Sequence, residues 1–286
     1  MKVKMAVHAG FCFGVKRAMD RVTQELKSGT PIYTYGPLIH NQMVVEDLRE
    51  KGVIPLEGFE EIDRAKDGIL VIRSHGAPKE VFEKLKEKGI RYVDATCPFV
   101  KRIHGTVERE SYGGTKILIV GDVNHPEVVG IRGWCLGESW VVSGPEEAEK
   151  LPECVPEGSE KLCVVAQTTI KLNIFRECIE IINHKGYNVN VVNTICNATG
   201  ERQREAVELA KECGAMIVIG DTHSSNTKKL FEICKKECEL TYLVQTVRDL
   251  PPRLPEAVEM VGITAGASTP NYIIEEVHDY VRTAEL

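Results

Sequence analysis

Three cysteines recur at one place in a repeated order of elements, and that recurrence constrains the fold more than any other feature of the chain. Behind Cys12, the apolar residues Val15, Ala18, Met19, Val22 and Leu26 fall on one helical face. Behind Cys97, Pro98 suits the first position of a helix, and Val100, Ile103 and Val107 continue the stripe. Behind Cys196, Ala206, Leu209, Ala210 and Cys213 do the same, with Gly214 as the stop. Each helix is followed by two short, β-branched apolar runs that break into polar, glycine-bearing loops, the pattern of strands buried in a parallel sheet. They are "IYTYGPLIHN" and "ILVIRSHGAP", then "KILIVGDVNHPE" and "LCVVAQTT", then "MIVIGDTHSSNT" and "MVGITAGASTP". All six loops lead into predicted helices.

Further strands, "IRYVDATC" and "YNVNVVNTIC", run into Cys97 and Cys196 and close the units before them. The third unit ends on a helix near residue 283 with no such strand, and "KVKMAV", residues 2–7, supplies it from the other end of the chain. From Cys12 to Cys97 is 85 residues and from Cys97 to Cys196 is 99, so the units are of similar length. The pattern predicts an α/β fold of three similar domains with mainly parallel sheets in a pseudo-threefold ring. Their bounds are 14–96, 97–195 and 196–286, the last completed by an N-terminal strand within 1–13. Ligands of open parallel sheets bind beyond the carboxyl ends of the strands. A ring would therefore gather the three thiols and the six loops around one cavity.

Charge and hydropathy narrow the function. With 36 Lys and Arg against 42 Asp and Glu, the formal charge of −6 argues against a nucleic-acid partner. No apolar run approaches the roughly 20 residues that cross a bilayer, which argues against a membrane. "MKVKMAVHAGF" is too short in apolar length, and broken by His8, to resemble a secretory signal, so a cytoplasmic location is expected. Ten cysteines in that compartment stay reduced and read as core thiols, metal ligands or catalytic groups.

Three converging thiolates can hold zinc together with a histidine, or an iron-sulfur cluster in which one iron lacks a protein ligand. Structural zinc sites draw ligands from tight local spacing such as CxxC, which no pair here has; spacing favours the cluster and leaves zinc open. A helix N-terminus behind each cysteine stabilises thiolate charge. An iron with an open position acts as a Lewis acid while the cluster supplies electrons, a combination suited to reductive removal of a hydroxyl. The loops add His40, His75 and His125, the carboxyl of Glu127, and the hydroxyl and amide groups of Thr168, Ser224, Ser225, Asn226 and Ser268. Such donors at helix N-termini make a phosphate cradle without lysine. Each also has a plainer role, as an N-cap or a surface histidine. Cys163, Cys178 and Cys213 fall on apolar faces and read as core. Cys234 and Cys238 lie four apart on a helix without partner ligands nearby, and Cys135 and Cys154 also lack the loop placement.

The motifs "GFCFGVKRA", "GPLIHN", "RSHGAP", "DATCPFV", "GDVNHPEV", "AQTT", "NTICNATGERQ", "SSNT" and "TAGASTP", in this order across essentially the whole chain, resemble the 4-hydroxy-3-methylbut-2-enyl diphosphate reductase (LytB/IspH) family. The resemblance implies three α/β domains around one 4Fe-4S cluster held by Cys12, Cys97 and Cys196, with one open iron site. It implies that His40, His75, His125, Ser224, Asn226 and Ser268 hold the diphosphate, with Ser225 in the same loop. Glu127 matches the proton-relay carboxylate and Thr168 the hydroxyl that positions the substrate's oxygen. The implied reaction is a two-electron reductive dehydration of the allylic diphosphate to isopentenyl diphosphate and dimethylallyl diphosphate. An external electron donor such as a ferredoxin or flavodoxin is implied too, since the chain carries no flavin or NAD(P) fingerprint. Phe13 and His223 depart from the family pattern without removing a ligand. Two other classes predict different behaviour: a zinc hydrolase or lyase using Glu127 or a histidine as base, and a cluster-bearing sensor without turnover.

Overall fold

A computed structural model describes residues 2–156, 160–255 and 257–283; the outermost residues of the expected first strand and third domain, 1 and 284–286, lie outside them. Strand β1 (Lys2–Met5) leads to Cys12 and helix α1 (Phe13–Leu26). Next come β2 (Ile32–Tyr35), α2 (Gln42–Glu50), β3 (Val53–Leu56), β4 (Ile69–Ile72), α3 (Lys79–Glu87) and β5 (Tyr92–Asp94). From Cys97 the chain runs through α4 (Pro98–Tyr112), β6 (Lys116–Val120), α5 (Pro126–Arg132), β7 (Ser139–Val142), α6 (Pro145–Ala148), β8 (Lys161–Ala166), α7 (Leu172–His184) and β9 (Asn188–Val191). From Cys196 it runs through α8 (Asn197–Glu212), β10 (Ala215–Ile219), α9 (Ser225–Glu237), β11 (Thr241–Val244), β12 (Met260–Ala265) and α10 (Asn271–Thr283).

The strands form three four-stranded sheets, ordered β5-β4-β2-β3, β9-β8-β6-β7 and β1-β12-β10-β11, and every pairing is parallel. The three orders are the same order. As the sequence predicts, β1 completes the third sheet, Lys2 pairing with Met260 and Met5 with Ile263. Central strands such as β4 (ILVI) and β10 (AMIVI) are buried along their whole length, because helices cover both faces. Alternation then divides each strand between two cores. Leu118 and Val120 pack with Phe175 and Cys178 on one face of their sheet, and Ile117 and Ile119 with Ile103 and Val107 on the other. Each such fully buried side chain contributes roughly 1.5–3 kcal/mol.

By packing, the chain divides into two compact units: 1–16, 39–50 and 197–286 form the first, and 17–38 and 51–196 the second. The first contains the sheet with β1; the second contains the other two sheets. Helix α2, although it follows β2 of the second unit in sequence, belongs to the first. Its Met43 packs on the apolar cluster that holds Ile217 and Ile263.

Three edge strands, β3, β7 and β11, were not among the predicted elements. Each has four residues and only one or two of them fully buried, and β3 carries Pro55. An edge position tolerates a residue without an N–H, and so short a half-exposed run has no periodicity to detect.

Candidate functional site

The three cysteines occupy equivalent loops. Each follows an end strand of its sheet and precedes a helix, and each donates its backbone N–H to the loop behind the neighbouring strand. Cys12 N–H reaches the carbonyl of Ala267 (3.1 Å), Cys97 that of Ser74 (3.0 Å) and Cys196 that of Thr168 (3.1 Å). All three are partly exposed. Cys97 is the N-cap of α4, with Pro98 in the first turn as predicted. By contrast Cys163, Cys178, Cys213, Cys234 and Cys238 are buried in apolar clusters. Burial pushes the Cys163, Cys178 and Cys213 thiols up to about 11 and that of Cys234 up to about 12, so they stay protonated. Cys234 lies against the carbonyl of Ala206 and Cys238 against that of Cys213, as core thiols do.

In the second unit the loops behind β4, β6 and β8 carry His75, His125, Glu127 and Thr168. His125 caps α5: its Nδ1 accepts the Glu127 N–H at 3.1 Å, which in the neutral ring leaves the proton on Nε2 as a donor. His75 meets His125 edge to face, ring centroids 5.4 Å apart. Glu127, 2% exposed, turns its carboxylate onto Thr168: Oε1 accepts the Thr168 N–H at 2.6 Å and Oε2 the hydroxyl at 2.7 Å. Thr168 thus links the carboxylate through its side chain and N–H, and Cys196 through its carbonyl.

The first unit brings His40, Ser224, Ser225, Asn226 and Ser268 into its loops. Ser224 takes the plain role too, capping α9 by accepting the Thr227 N–H at 3.3 Å, which leaves its own hydroxyl proton to donate. Ser225 opens the helix, and Asn226 is buried in its first turn. Ser268 donates its hydroxyl to the His40 carbonyl at 2.9 Å.

Several supporting residues were not among the predicted site residues. Asp221, 3% exposed, accepts the Gln42 N–H at 2.8 Å and the His223 N–H at 2.7 Å, tying the start of α2 to the loop before α9. Burial opposes its charge, but those donors outweigh it and hold its carboxyl below the ordinary range. His223, noted from sequence only as a departure, turns Nδ1 onto Asp221 at 2.9 Å while its ring stays exposed. Gly76 has φ +78°, and a Cβ there would meet His104 Cε1 at 2.6 Å. His104 thus underlies the loop that presents His75. Arg73, one turn earlier, lies over the Tyr35 ring at 5.5 Å.

A parallel α/β chain that places thiols, imidazoles, hydroxyls and a buried carboxylate in the loops beyond its strand ends has the layout of a ligand-binding α/β enzyme. Comparison with known proteins is specific. The family model described as LytB protein matches residues 3–282. A 4-hydroxy-3-methylbut-2-enyl diphosphate reductase of Alkaliphilus oremlandii is 46% identical over 98% of this chain and 99% of its own, and that of Caldanaerobacter subterraneus is 45% identical over 99% and 97%. A solved (E)-4-hydroxy-3-methyl-but-2-enyl diphosphate reductase, described as the terminal enzyme of the non-mevalonate pathway, aligns over 99% of this chain and 100% of its own at 41% identity, with a TM-score of 0.71. A solved E-1-hydroxy-2-methyl-but-2-enyl-4-diphosphate reductase from Plasmodium falciparum aligns over 98% of this chain and 87% of its own at 28% identity, with a TM-score of 0.88. The chain belongs to the LytB family, a family of reductases.

Proposed function

We propose that the chain reduces (E)-4-hydroxy-3-methylbut-2-enyl diphosphate to isopentenyl diphosphate and dimethylallyl diphosphate. The C–O bond to the hydroxyl breaks, two electrons and two protons enter, and water leaves. The observation that carries this reading is the buried Glu127–Thr168 pair, whose Thr168 carbonyl receives the N–H of Cys196. Such a pair can pass a proton toward an oxygen held beside the cysteine loop.

The donor set suits a 4Fe-4S cluster with three cysteine ligands and one open iron site. Cys12, Cys97 and Cys196 are partly exposed, sit in equivalent loops and precede helices, whereas six other thiols are sealed in apolar cores. When bound, such a cluster supplies electrons singly and a Lewis-acidic iron. The shared strand order supports reading the sheets as three domains, 14–96, 97–195 and 196–286 with the strand from 1–13.

The chain's own residues do the rest. His125, with Nε2–H as donor, binds the diphosphate with His40, His75, Ser224, Ser225, Asn226 and Ser268. The N-terminus of α9 adds backbone donors that favour an anion. Ser268 joins them by turning its hydroxyl proton from the His40 carbonyl to a diphosphate oxygen. Thr168 orients the substrate hydroxyl, and Glu127 moves the proton. Electrons come from an external carrier such as a ferredoxin or flavodoxin, in the cytoplasm. No helix among the described residues is long and apolar enough to cross a membrane.

The test is anaerobic turnover of the allylic diphosphate with a reduced viologen. The reading predicts two viologens oxidised per C5 diphosphate formed. Release of inorganic phosphate without viologen oxidation would overturn it in favour of a hydrolase.

A further inference from the structure

Helix α8 begins directly behind Cys196, yet one of its turns is devoted to the loop that carries Cys12. Arg202, 4% exposed, donates from Nε to the His8 carbonyl at 2.8 Å and from Nη2 to the Gly10 carbonyl at 2.7 Å. Three residues on, Glu205 faces the same way. Its carboxylate accepts the N–H groups of Val7 at 2.6 Å and His8 at 2.9 Å, and contacts His8 Nδ1 at 3.0 Å. One cation and one anion at i and i+3 thus engage two carbonyls and two N–H groups of residues 7–10.

The loop they hold has little freedom. Gly10 has φ +92°, and a Cβ there would meet Ile274 Cδ1 at 2.9 Å and Asn271 Oδ1 at 3.0 Å. Two residues later comes Cys12. Helix α1, which follows Cys12, repeats the device on the next cysteine: Arg17 donates from Nη1 to the Thr96 carbonyl at 3.1 Å and lies 3.5 Å from that of Asp94, just ahead of Cys97. The third member differs. Arg102 of α4 is exposed over the Phe99 ring, and the strand end before Cys196 is pinned by Thr194, whose hydroxyl accepts from the Ala166 N–H at 2.8 Å and donates to its carbonyl at 2.5 Å.

We propose that Arg202 and Glu205 are positioning residues that clamp the Cys12 loop in its cluster-ligating conformation, and that Arg17 does the same for Cys97. The proposal rests on the cluster reading above. It makes the hold of Cys12 and of Cys97 on iron depend on a guanidinium carried by the helix behind a different cysteine. Backbone carbonyls fixed by charged donors set where the following thiolate points, as outer partners do for metal-bound side chains.

The test is iron release from the reconstituted chain under a ferrous chelator, with the reaction stopped at intervals by iodoacetamide and the labelled cysteines mapped. Arg202→Met is expected to release iron about tenfold faster, with Cys12 the first thiol labelled. Glu205→Gln, which keeps one good acceptor, and Arg202→Lys, which keeps the charge without the fork, are each expected to speed release about threefold with the same order of labelling. Arg17→Met is expected to shift first labelling to Cys97. Release within twofold of the unaltered chain for both Arg202→Met and Glu205→Gln would overturn the clamp, as would an order of labelling that no variant changes. If Arg202→Met does not fold, Glu205→Gln and Arg202→Lys carry the test alone. An unaltered chain that holds no cluster after reconstitution would remove the cluster reading and the clamp together, a result distinct from a stable cluster indifferent to Arg202.

Discussion

Both carboxylate oxygens of Glu127 are engaged by one residue, Thr168, through its N–H at 2.6 Å and its hydroxyl at 2.7 Å. Glutamine can keep this geometry, accepting the N–H through its carbonyl and donating its amide to the hydroxyl oxygen. Only the ionisable group is lost. Glu127→Gln should therefore hold as much iron as the unaltered chain while turnover falls by about 100-fold or more. Turnover at the normal rate would show that Glu127 is not the proton relay.

Ser224 caps α9, and substitution can separate that role from the diphosphate contact proposed for it. Ser224→Ala removes the cap of α9 and should cost about 1 kcal/mol of stability as well as raising KM for the diphosphate. Ser224→Asp keeps a capping oxygen and should recover the stability, yet it sets a carboxylate against the diphosphate and should raise KM further. Recovery of both quantities in Ser224→Asp would reduce Ser224 to a cap.

His104 gives the fold a pH dependence of known sign. Its ring is stacked on Trp134, centroids 5.3 Å apart, and burial drives it from the ordinary 6.5 down to about 4. The unfolded chain therefore binds this proton near pH 6.5 and the folded chain only near pH 4. The stability from the neutral buried ring is complete above pH 6.5, is lost as pH falls toward 4, and levels off below. In urea unfolding the unaltered chain should lose roughly 2–3 kcal/mol more than His104→Leu between pH 7 and pH 4.5. Equal losses would place no proton linkage at His104.

The thiols fall into two populations that labelling can distinguish. In cluster-free chain at pH 8, Cys12, Cys97 and Cys196, partly exposed, should alkylate before Cys163, Cys178, Cys213 and Cys234, which are buried and held protonated. Labelling of all seven at one rate would contradict that division.

Much of this architecture was legible in the sequence because its central strands are long enough in apolar residues to be read and its loops are marked by glycine. The wrap of residues 2–7 onto the third sheet followed from a strand missing at one end and present at the other. What was not legible depends on tertiary partners. Gln42 and Met43 give no sign that α2 leaves the sheet it follows for the unit of Asp221 and Ile217. Arg202 lies within "NTICNATGERQ" with nothing in the sequence to give it a role, and it is buried against the Cys12 loop. Ser224 and His125 read equally as caps or binding groups, and in the structure both are caps; the binding role proposed for them rests on the chemistry of the substrate.

The central claim is that Cys12, Cys97 and Cys196 together hold one cluster. The most direct test is iron and acid-labile sulfide per chain, measured on protein purified without oxygen. About four of each are predicted for the unaltered chain and for Cys234→Ser, and far less for Cys97→Ser. Stoichiometric zinc with no cluster after anaerobic reconstitution, or equal iron loss from the two serine variants, would contradict it.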